Sequence, residues 1–282
     1  MSVKRAAIAA SLALSALPAL AQSGDVARGE YLVTLGICEG CHSPRDAKDV
    51  PLPGMRLSGG RRSGGLMTPN LTPDPETGLG KWSEAQIVEA LRNGKRPDGS
   101  SIRPPMGIFF YRGFSDTDAR AIAAYLKSLP PISHKVERTP VTAAAPAFPR
   151  VERVADPAPG DKAARAAYYA ETVSHCMQCH SPKLDNLPDL SRAGAGGGEY
   201  SAPGGGRVAA ANLTPGNPDG IVKWTDAQIK TAITKGVRPD GGKMVGVMDF
   251  ELYEKMKPED LDSIVAYLRA LKPQATGDGK AR

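Results

Sequence analysis

The sequence contains four cysteines, and all of them fall in two C-x-x-C-H motifs: Cys38, Cys41 and His42 form the first, and Cys176, Cys179 and His180 form the second. Two thiols separated by one short loop can form thioether bonds to the edge of a porphyrin, and the adjacent imidazole can bind the iron. The motifs indicate two covalently bound c-type haems, with His42 and His180 as iron ligands.

A C-x-x-C pair also occurs in thioredoxin-like dithiols and in zinc sites. A dithiol would require a βαβ setting and a zinc site would require four ligands in two well-spaced pairs, and neither explains a histidine directly after both pairs. One Cys/His metal centre built from both motifs is a further alternative, although Cys38 and Cys176 lie 138 residues apart. The internal repetition of the chain favours haem over these alternatives.

An iron bound by one histidine requires a sixth ligand if it is to carry electrons without binding small molecules, and methionine raises its reduction potential. The sequence has eight methionines, but only Met106 and Met248 are equivalent, because each follows one of the two tryptophans by 24 residues. A lone methionine is more often a core residue. The matched pair favours iron ligation, with Met67 and Met244 as the nearest rivals.

The motifs belong to an internal duplication. Asn-Leu-Thr-Pro at 70–73 recurs at 212–215, displaced by 142 residues, whereas the haem motif is displaced by 138. Four residues (142 minus 138) are therefore added between these two features in the second copy. We place them in the glycine-rich stretch 194–206 and expect a flexible surface loop there.

The first 21 residues have the pattern of a secretory signal, because Lys4 and Arg5 precede an apolar run that ends in an Ala-Leu-Ala cleavage site. We expect export to the periplasm, and no later segment is apolar enough to span a membrane. Removing the two basic residues lowers the formal net charge from +6 to +4, which is too diffuse for nucleic-acid binding but could steer docking to an acidic redox partner.

Beyond this signal the sequence divides into two domains and a linker. The expected segments are a signal peptide at 1–21, a first domain at 22–130, a Pro/Ala-rich extended linker at 131–160, a second domain at 161–275 and a flexible tail at 276–282.

Within each domain the patterns predict three helices and no strand. The first helix precedes the haem motif, at about 26–37 and 162–175. The second begins at Ser83 or Thr225, each followed three residues later by a glutamine that completes a capping box, and ends at Gly94 or Gly236. The third is an amphipathic closing helix, with apolar residues at helical spacing over 119–129 and 261–271.

Several polar residues could contact the edge of a bound haem. Trp82 and Trp224 each combine an apolar ring with a donor N–H, and Asn70 and Asn212 could bond propionates, as could the arginines of the two Arg-Pro-Asp-Gly segments. Core packing for the tryptophans, and turn or surface roles for the others, are equally compatible with the sequence.

Two histidines lie outside the motifs. We expect His134, in the linker, to be solvated. His175 directly precedes Cys176, but Ile37 holds its place in the first copy, so a ligand role is disfavoured.

In these segments the chain resembles tandem class I-like dihaem cytochromes c, especially the cytochrome subunits of periplasmic alcohol, aldehyde and sugar dehydrogenases. The resemblance is carried by 28–32, by 70–83 and by the Met106 loop leading to 124–130. It implies an all-α fold of two tandem haem domains with two haem c groups, a dehydrogenase as electron donor, and a terminal oxidase or another cytochrome as acceptor. Many such subunits have three haems and a C-terminal membrane helix, so we expect a soluble carrier or a loosely held subunit here.

Electron transfer is the function that these features favour, with no catalytic residues of its own. The main alternative is a dihaem enzyme of the peroxidase or thiosulfate-oxidising type, in which one iron has an open or unusual sixth position. That alternative requires asymmetry between the two copies, which the repeat does not display. A purely structural haem subunit of a dehydrogenase complex is a third possibility.

Overall fold

A computed structural model describes residues 16–141, 145–202, 205–218, 220–221 and 223–277 of the 282-residue chain. Residues 1–15 of the predicted signal and 278–282 of the predicted tail lie outside the described residues. We refer to 22–130 as the first half and to 161–275 as the second half.

The described chain is mostly helical, as expected. The helices before the linker are α1 (Ala16–Leu35), α2 (Cys38–His42), α3 (Glu84–Asn93), α4 (Ile108–Tyr111) and α5 (Asp116–Ser128). Those after it are α6 (Lys162–Ala167), a π-helix (Tyr168–Val173), α7 (Met177–His180), a 3-10 helix (Leu190–Arg192), α8 (Asp226–Lys235), α9 (Phe250–Tyr253) and α10 (Pro258–Ala270).

The predicted ends of the middle helices are confirmed. Ser83 and Thr225 each accept a hydrogen bond from the backbone N–H three residues on, and the glutamine there bonds back to the cap residue, which completes the capping box in both halves. Gly94 and Gly236 end the helices in the left-handed conformation that glycine adopts without steric cost.

The first half is built around the contact between α1 and α5. Gly29 permits it, because a Cβ atom at this position would lie 1.9 Å from the carbonyl oxygen of Ala121. Leu32 of α1 and Ile122 of α5 are buried in the resulting core, and burial of such a side chain contributes about 1.5–3 kcal/mol. In the second half α10 packs in the same way on α6 and the π-helix.

The helix predicted at 162–175 changes from an α-helix to a π-helix at Tyr168. Tyr168 lies eight residues before Cys176, whereas Tyr31 lies seven residues before Cys38, and the π-helix that begins at Tyr168 accommodates the extra residue. As a result Tyr31 and Tyr168 occupy equivalent places in the two halves.

The expectation that the chain has no strand is wrong. Three small antiparallel hairpins pair β1 (Arg62–Ser63) with β2 (Leu66–Met67), β3 (Lys183–Leu184) with β4 (Leu187–Pro188), and β5 (Glu199–Ser201) with β6 (Arg207–Ala209). Strands of two or three residues are too short to produce a visible alternation of apolar and polar residues. The tight turns between β1 and β2 and between β3 and β4 have positive φ at both central residues, as two-residue hairpin turns require.

The glycine-rich stretch is part of a hairpin and is not the loop that we expected. Gly60 N–H donates to Thr68 O in the first half, and Gly197 N–H donates to Ala210 O in the second, so these bonds mark equivalent ends of the β1–β2 and β5–β6 segments. The segment between the two bonded residues is 60–68 in the first half and 197–210 in the second. The added residues therefore lie inside the β5–β6 hairpin.

The described part of the linker is extended and bonded to the first half. Ile132 N–H donates to Thr72 Oγ1 at 3.1 Å, and Val151 N–H donates to Asn93 Oδ1 at 2.9 Å. His134 is half-buried, with Nδ1 2.9 Å from Ser58 O, so our expectation that it is solvated is wrong.

The two halves meet through a pair of buried aspartates. Asp118, near the start of α5, accepts two hydrogen bonds from Arg28 of its own half and one from Tyr168 of the second half, at 2.7–2.8 Å. The same tyrosine hydroxyl accepts a bond from Ser115 N–H, at the cap of α5.

The equivalent set is present at α10 with the halves exchanged. Asp260 accepts hydrogen bonds from Arg165 of its own half and from Tyr31 of the first half. The bond from the Tyr31 hydroxyl is 2.6 Å long, and the same hydroxyl accepts from Lys257 N–H at 3.0 Å. Each half therefore completes the N-terminal end of the other half's closing helix.

We predict that Tyr31→Phe and Tyr168→Phe each lower the free energy of unfolding by about 1–3 kcal/mol, since each leaves a buried carboxylate and a backbone N–H short of a partner. Chemical denaturation followed by far-UV circular dichroism measures this change. Glu76→Gln is the control, because the Glu76–Lys81 pair is exposed and its loss should cost no more than about 0.5 kcal/mol. Equal stability of all three variants would contradict the interface described here.

Candidate haem sites

Both attachment motifs follow a strained residue and form short helices. Ile37 has φ 47° and His175 has φ 35°, a left-handed conformation that is unfavourable for side chains of these types and that persists only where the surrounding structure enforces it. The helices α2 and α7 come directly after, and no disulfide joins any of the four cysteines, all of which are among the described residues. The same turn therefore presents the thiol pair in both halves.

The two motif histidines are buried and oriented alike. His42 Nδ1 lies 2.9 Å from Pro69 O, and His180 Nδ1 lies 2.8 Å from Ala211 O. A backbone carbonyl can only accept, so Nδ1 carries the proton and the lone pair of each ring is left on Nε2. This is the arrangement that metal-binding histidines use, which means that the residues present fit a haem iron at Nε2.

Burial sets the protonation of the motif residues. It lowers the pKa of His42 and of His180, against the opposing effect of their carbonyl partners, and so favours the neutral imidazole that can bind a metal. Burial also raises the pKa of Cys38 and of Cys176 to about 12. A redox-active dithiol depends on a lowered thiol pKa, so this environment does not suit a thioredoxin-like reaction.

The structure does not support the alternative of one metal centre shared by both Cys/His motifs. In the described ranges, no group of three or more His, Cys, Asp or Glu side chains is arranged so that it could hold a metal ion.

Met106 and Met248 occupy matched turns ahead of short helices. The carbonyl of Met106 accepts from Ile108 N–H at 2.8 Å, where α4 begins, and that of Met248 accepts from Phe250 N–H at 3.0 Å, where α9 begins. Both side chains are half-buried and pack against the hydrophobic core. By contrast, Met177 is fully buried in that core. Iron ligation by Met106 and Met248 stays a prediction, and the equivalence of their loops supports it.

A tyrosine that the sequence analysis missed links each methionine loop to its attachment motif. Tyr111 OH donates to Gly36 O at 2.9 Å, and Tyr253 OH donates to Ser174 O at 3.3 Å. Each tyrosine follows its methionine by five residues, so the repeat contained the signal. Each bond fixes the backbone two residues before the first motif cysteine.

His175 lies in the contact between the halves. It is buried, its Nε2 is 3.3 Å from Gly36 O, and its ring meets Tyr111 edge-on at 5.3 Å between ring centroids. These contacts account for a packing role.

Asn70 and Asn212 are buried and bonded to the protein itself. Both amide hydrogens of Asn70 are used, toward Thr77 Oγ1 and Ile132 O, and its carbonyl accepts from Thr72. Asn212 bonds Thr214 and Gln274 in the equivalent way. These bonds tie the Asn-Leu-Thr-Pro loop to the segment after each closing helix, which supports the turn role over a bond to a propionate.

The tryptophans pack against the core, and the arginines of the Arg-Pro-Asp-Gly segments bond within their own turns. Trp82 and Trp224 are half-buried, and the carbonyl of Trp82 accepts from Lys127 Nζ at 3.0 Å. Arg96 donates to Ser101 O at 2.9 Å, and Arg238 donates to Lys243 O at 3.3 Å. A haem-edge role for either tryptophan stays a prediction.

A second residue missed from the sequence covers only the second motif. Tyr200, on β5, donates to the carbonyl oxygens of Gln178 and Cys179 at 3.3 and 3.4 Å. The hairpin that carries the added residues therefore lies against the second attachment motif. No property of the glycine-rich sequence indicated that contact, because it depends on how the hairpin folds back.

The comparisons with known proteins agree with this site. The cytochrome c family profile matches residues 26–130. A diheme cytochrome c-type protein of Cereibacter sphaeroides is 30% identical over 273 residues, covering 88% of this chain and 86% of the relative. With paired thiols and an oriented histidine in each half, the molecule is a c-type haem protein. The chain belongs to the cytochrome c family, as a dihaem member.

Two further relatives are subunits of dehydrogenases. The gluconate 2-dehydrogenase cytochrome c subunit of Pantoea cypripedii is 29% identical, over 87% of this chain and 59% of its own length. The cytochrome c subunit of the quinone alcohol dehydrogenase of Gluconobacter oxydans is 29% identical, over 98% of this chain and 61% of its own length. The chain thus spans about three fifths of these dehydrogenase subunits. Within the described residues, none of the helices has both the length and the apolar character that crossing a bilayer would demand.

We predict that Asn70→Ala lowers the free energy of unfolding by about 1–3 kcal/mol, because it removes the acceptor of the buried Thr72 backbone N–H and one donor to the carbonyl of Ile132. The reduction potentials of both haems should stay unchanged in this variant. Denaturation and a redox titration test the two parts separately. A shifted potential with unchanged stability would restore the propionate role.

Proposed function

We propose that this protein is a periplasmic dihaem c-type cytochrome that carries electrons from a dehydrogenase to the respiratory chain through two His/Met-ligated haems. A haem supplies one-electron chemistry, and a histidine and a methionine ligand keep its iron saturated, so that electrons pass without substrate binding. The chain's part is to hold those ligands. The observation that carries the proposal is the matched pair of buried histidines, each with Nδ1 on a backbone carbonyl and each paired in the repeat with one methionine loop.

The likeness of the two sites supports a carrier over the dihaem enzymes considered as the alternative. An enzyme of the peroxidase type needs one iron with an open or unusual sixth position. Here the histidine, its carbonyl partner, the methionine turn and the linking tyrosine occur in both halves. Both halves therefore contain a methionine turn and a linking tyrosine that could hold a sixth ligand.

The contact between the halves supports transfer from one haem to the other. Gln178, between Cys176 and Cys179, donates to Pro105 O of the first half, and Gly40, between Cys38 and Cys41, lies against Asp249 of the second half, so both cysteine pairs lie at the boundary between the halves. Since the thioether bonds form at these sulfurs, the attachment edges of both haems would approach the boundary between the halves. We take the two halves as separate haem domains at 22–130 and 161–275.

The donor and the acceptor are proposed from the relatives. Two of the relatives are cytochrome subunits of a gluconate dehydrogenase and of a quinone alcohol dehydrogenase. A periplasmic dehydrogenase of this general kind is therefore the proposed donor, with a terminal oxidase or another cytochrome as acceptor. The formal charge of +4 that remains after removal of Lys4 and Arg5 favours docking to an acidic surface.

We predict that Met106→Ala and Met248→Ala each open one iron to carbon monoxide in the reduced protein and remove about half of the weak sulfur-to-iron absorption of the oxidised protein, because each variant deletes one of two thioether ligands. Each should also lower the reduction potential of one haem. Visible absorption during a redox titration and a carbon monoxide titration measure these changes.

Met67→Leu and Met244→Leu are the matched controls, since they replace the rival methionines with residues of similar size. They should leave both readouts unchanged. Carbon monoxide binding at a haem of the unaltered protein would instead favour the enzyme alternative, and turnover of peroxide would establish it.

We predict that the mature protein begins at Gln22, is recovered from the periplasmic fraction, and is reduced rapidly by a periplasmic alcohol, aldehyde or sugar dehydrogenase that is supplied with its substrate. Protein mass spectrometry and stopped-flow absorption provide the two measurements. Reduction should slow as salt is added if opposite charges guide docking. A chain that retains residues 1–21 in the cytoplasm, or one that no such dehydrogenase reduces, would contradict this placement.

A further inference from the structure

Each attachment motif contacts the methionine loop of the other half. Gln178, between the cysteines of the second motif, donates from Nε2 to Pro105 O at 3.1 Å, and Pro105 directly precedes Met106. In the reciprocal contact the carboxylate of Asp249, which directly follows Met248, lies against Gly40 of the first motif. Arg45, just after that motif, has its Nη2 3.9 Å from Asp249 Oδ1.

A glycine makes room for a side chain in both contacts. A Cβ atom on Gly107 would lie 2.8 Å from Gln178 Oε1, and a Cβ atom on Gly40 would lie 2.7 Å from Asp249 Oδ2. Both separations are shorter than the contacts that Cβ atoms make in folded proteins, so the Gln178 amide or the Asp249 carboxylate would have to shift if a Cβ atom were added. We call these two the Gly107–Gln178 contact and the Gly40–Asp249 contact.

The repeat shows that the two contacts are equivalent and that their residue types are exchanged. Gly40 corresponds to Gln178, displaced by 138, and Gly107 corresponds to Asp249, displaced by 142. The first half has glycine at both positions and the second half has a side chain at both. Two first halves would leave both spaces empty, and two second halves would bring a glutamine and an aspartate into one space. Each contact therefore pairs a glycine of the first half with a side chain of the second half.

Only one end of the Gln178 side-chain amide is hydrogen-bonded within the part of the chain that the structure describes. Its Nε2 is bonded to Pro105 O, whereas its Oε1 is buried and has no hydrogen-bond partner among the described residues. A buried acceptor without a partner is costly, so such a group calls for an explanation. Here the amide fills the space over Gly107 and holds the carbonyl next to Met106.

We propose that the Gly107–Gln178 and Gly40–Asp249 contacts position the two methionine ligands, so that each haem's sixth ligand is held by the attachment motif of the opposite half. Gln178 is then a positioning residue for Met106, although it belongs to the motif that binds the other haem. This inference rests on the proposed His/Met ligation. It couples the two haem sites through the backbone, because displacement of one motif is transmitted to the other half's methionine loop.

The test measures the affinity of the full haem-loaded protein for carbon monoxide. Carbon monoxide competes with methionine for reduced iron. We expect Gln178→Ala to increase the affinity at the first haem about three- to tenfold, the change that loss of one hydrogen bond supports. The second haem should be unaffected. Met106→Ala and Met248→Ala identify which haem gives which signal.

The decisive variant is Met106→Ala combined with Gln178→Ala. If Gln178 acts through Met106, the double variant behaves like Met106→Ala alone at both haems. If Gln178 supports only its own motif, the second haem gains affinity in the double variant, and the proposal is overturned. Unchanged affinity in Gln178→Ala would overturn it as well.

The reciprocal contact supplies a second arm that does not alter Gln178. Gly40→Ala and Asp249→Gly should each increase the affinity at the second haem, because the first variant displaces the Asp249 carboxylate and the second removes it. The two substitutions together should have no larger effect than one of them. Glu39→Gln is the control within the same motif, since Glu39 faces Arg56 of its own half. It should leave the second haem unchanged, and additive effects of Gly40→Ala and Asp249→Gly would overturn positioning through this contact.

The unaltered protein separates this inference from the proposed function. If it lacks the sulfur-to-iron absorption, the ligand assignment fails, and the positioning role is overturned with it. If it shows that absorption and the variants leave carbon monoxide binding unchanged, only the positioning role is overturned. Covalent haem content, measured by mass spectrometry, confirms that each variant retains both groups.

Discussion

The hydrogen bond from each motif histidine to a backbone carbonyl determines what the rest of the structure can do. It fixes the tautomer of His42 and His180 and leaves Nε2 as the only ring position able to bind a metal. The carbonyls belong to Pro69 and Ala211, directly before the Asn-Leu-Thr-Pro loops, so the bond also joins each motif to the loop that follows it. The buried bonds of Asn70 and Asn212 then make those loops rigid.

The halves depend on one another in two places with different chemistry. In the first place, Tyr31 and Tyr168 cross between the halves to bond buried aspartates at the closing helices. In the second, the attachment motifs contact the opposite methionine loops through the paired glycines and side chains. The proposed transfer of electrons between the two haems requires such a fixed arrangement, because its rate depends on the separation and orientation of the groups.

Several features could be predicted because they are local. The helix caps at Ser83 and Gly94 depend on residues three or four positions apart, and the closing helices follow from apolar spacing, so the sequence is sufficient for both. The short hairpins and the π-helix were missed, because two-residue strands carry no periodicity and one extra residue in a helix leaves no mark on its pattern. His134 was misjudged because its partner, Ser58, is far away in the chain.

The sequence by itself determined the chemistry: thiols and an imidazole at a fixed short spacing, repeated with a matching methionine, define the groups that can hold a haem. Tertiary structure alone decided how the two sites are joined. Gln178 reaches Pro105 across 73 positions of sequence, and Tyr31 reaches Asp260 across 229. Contacts over such distances depend on how the halves pack, which no local pattern of residues encodes.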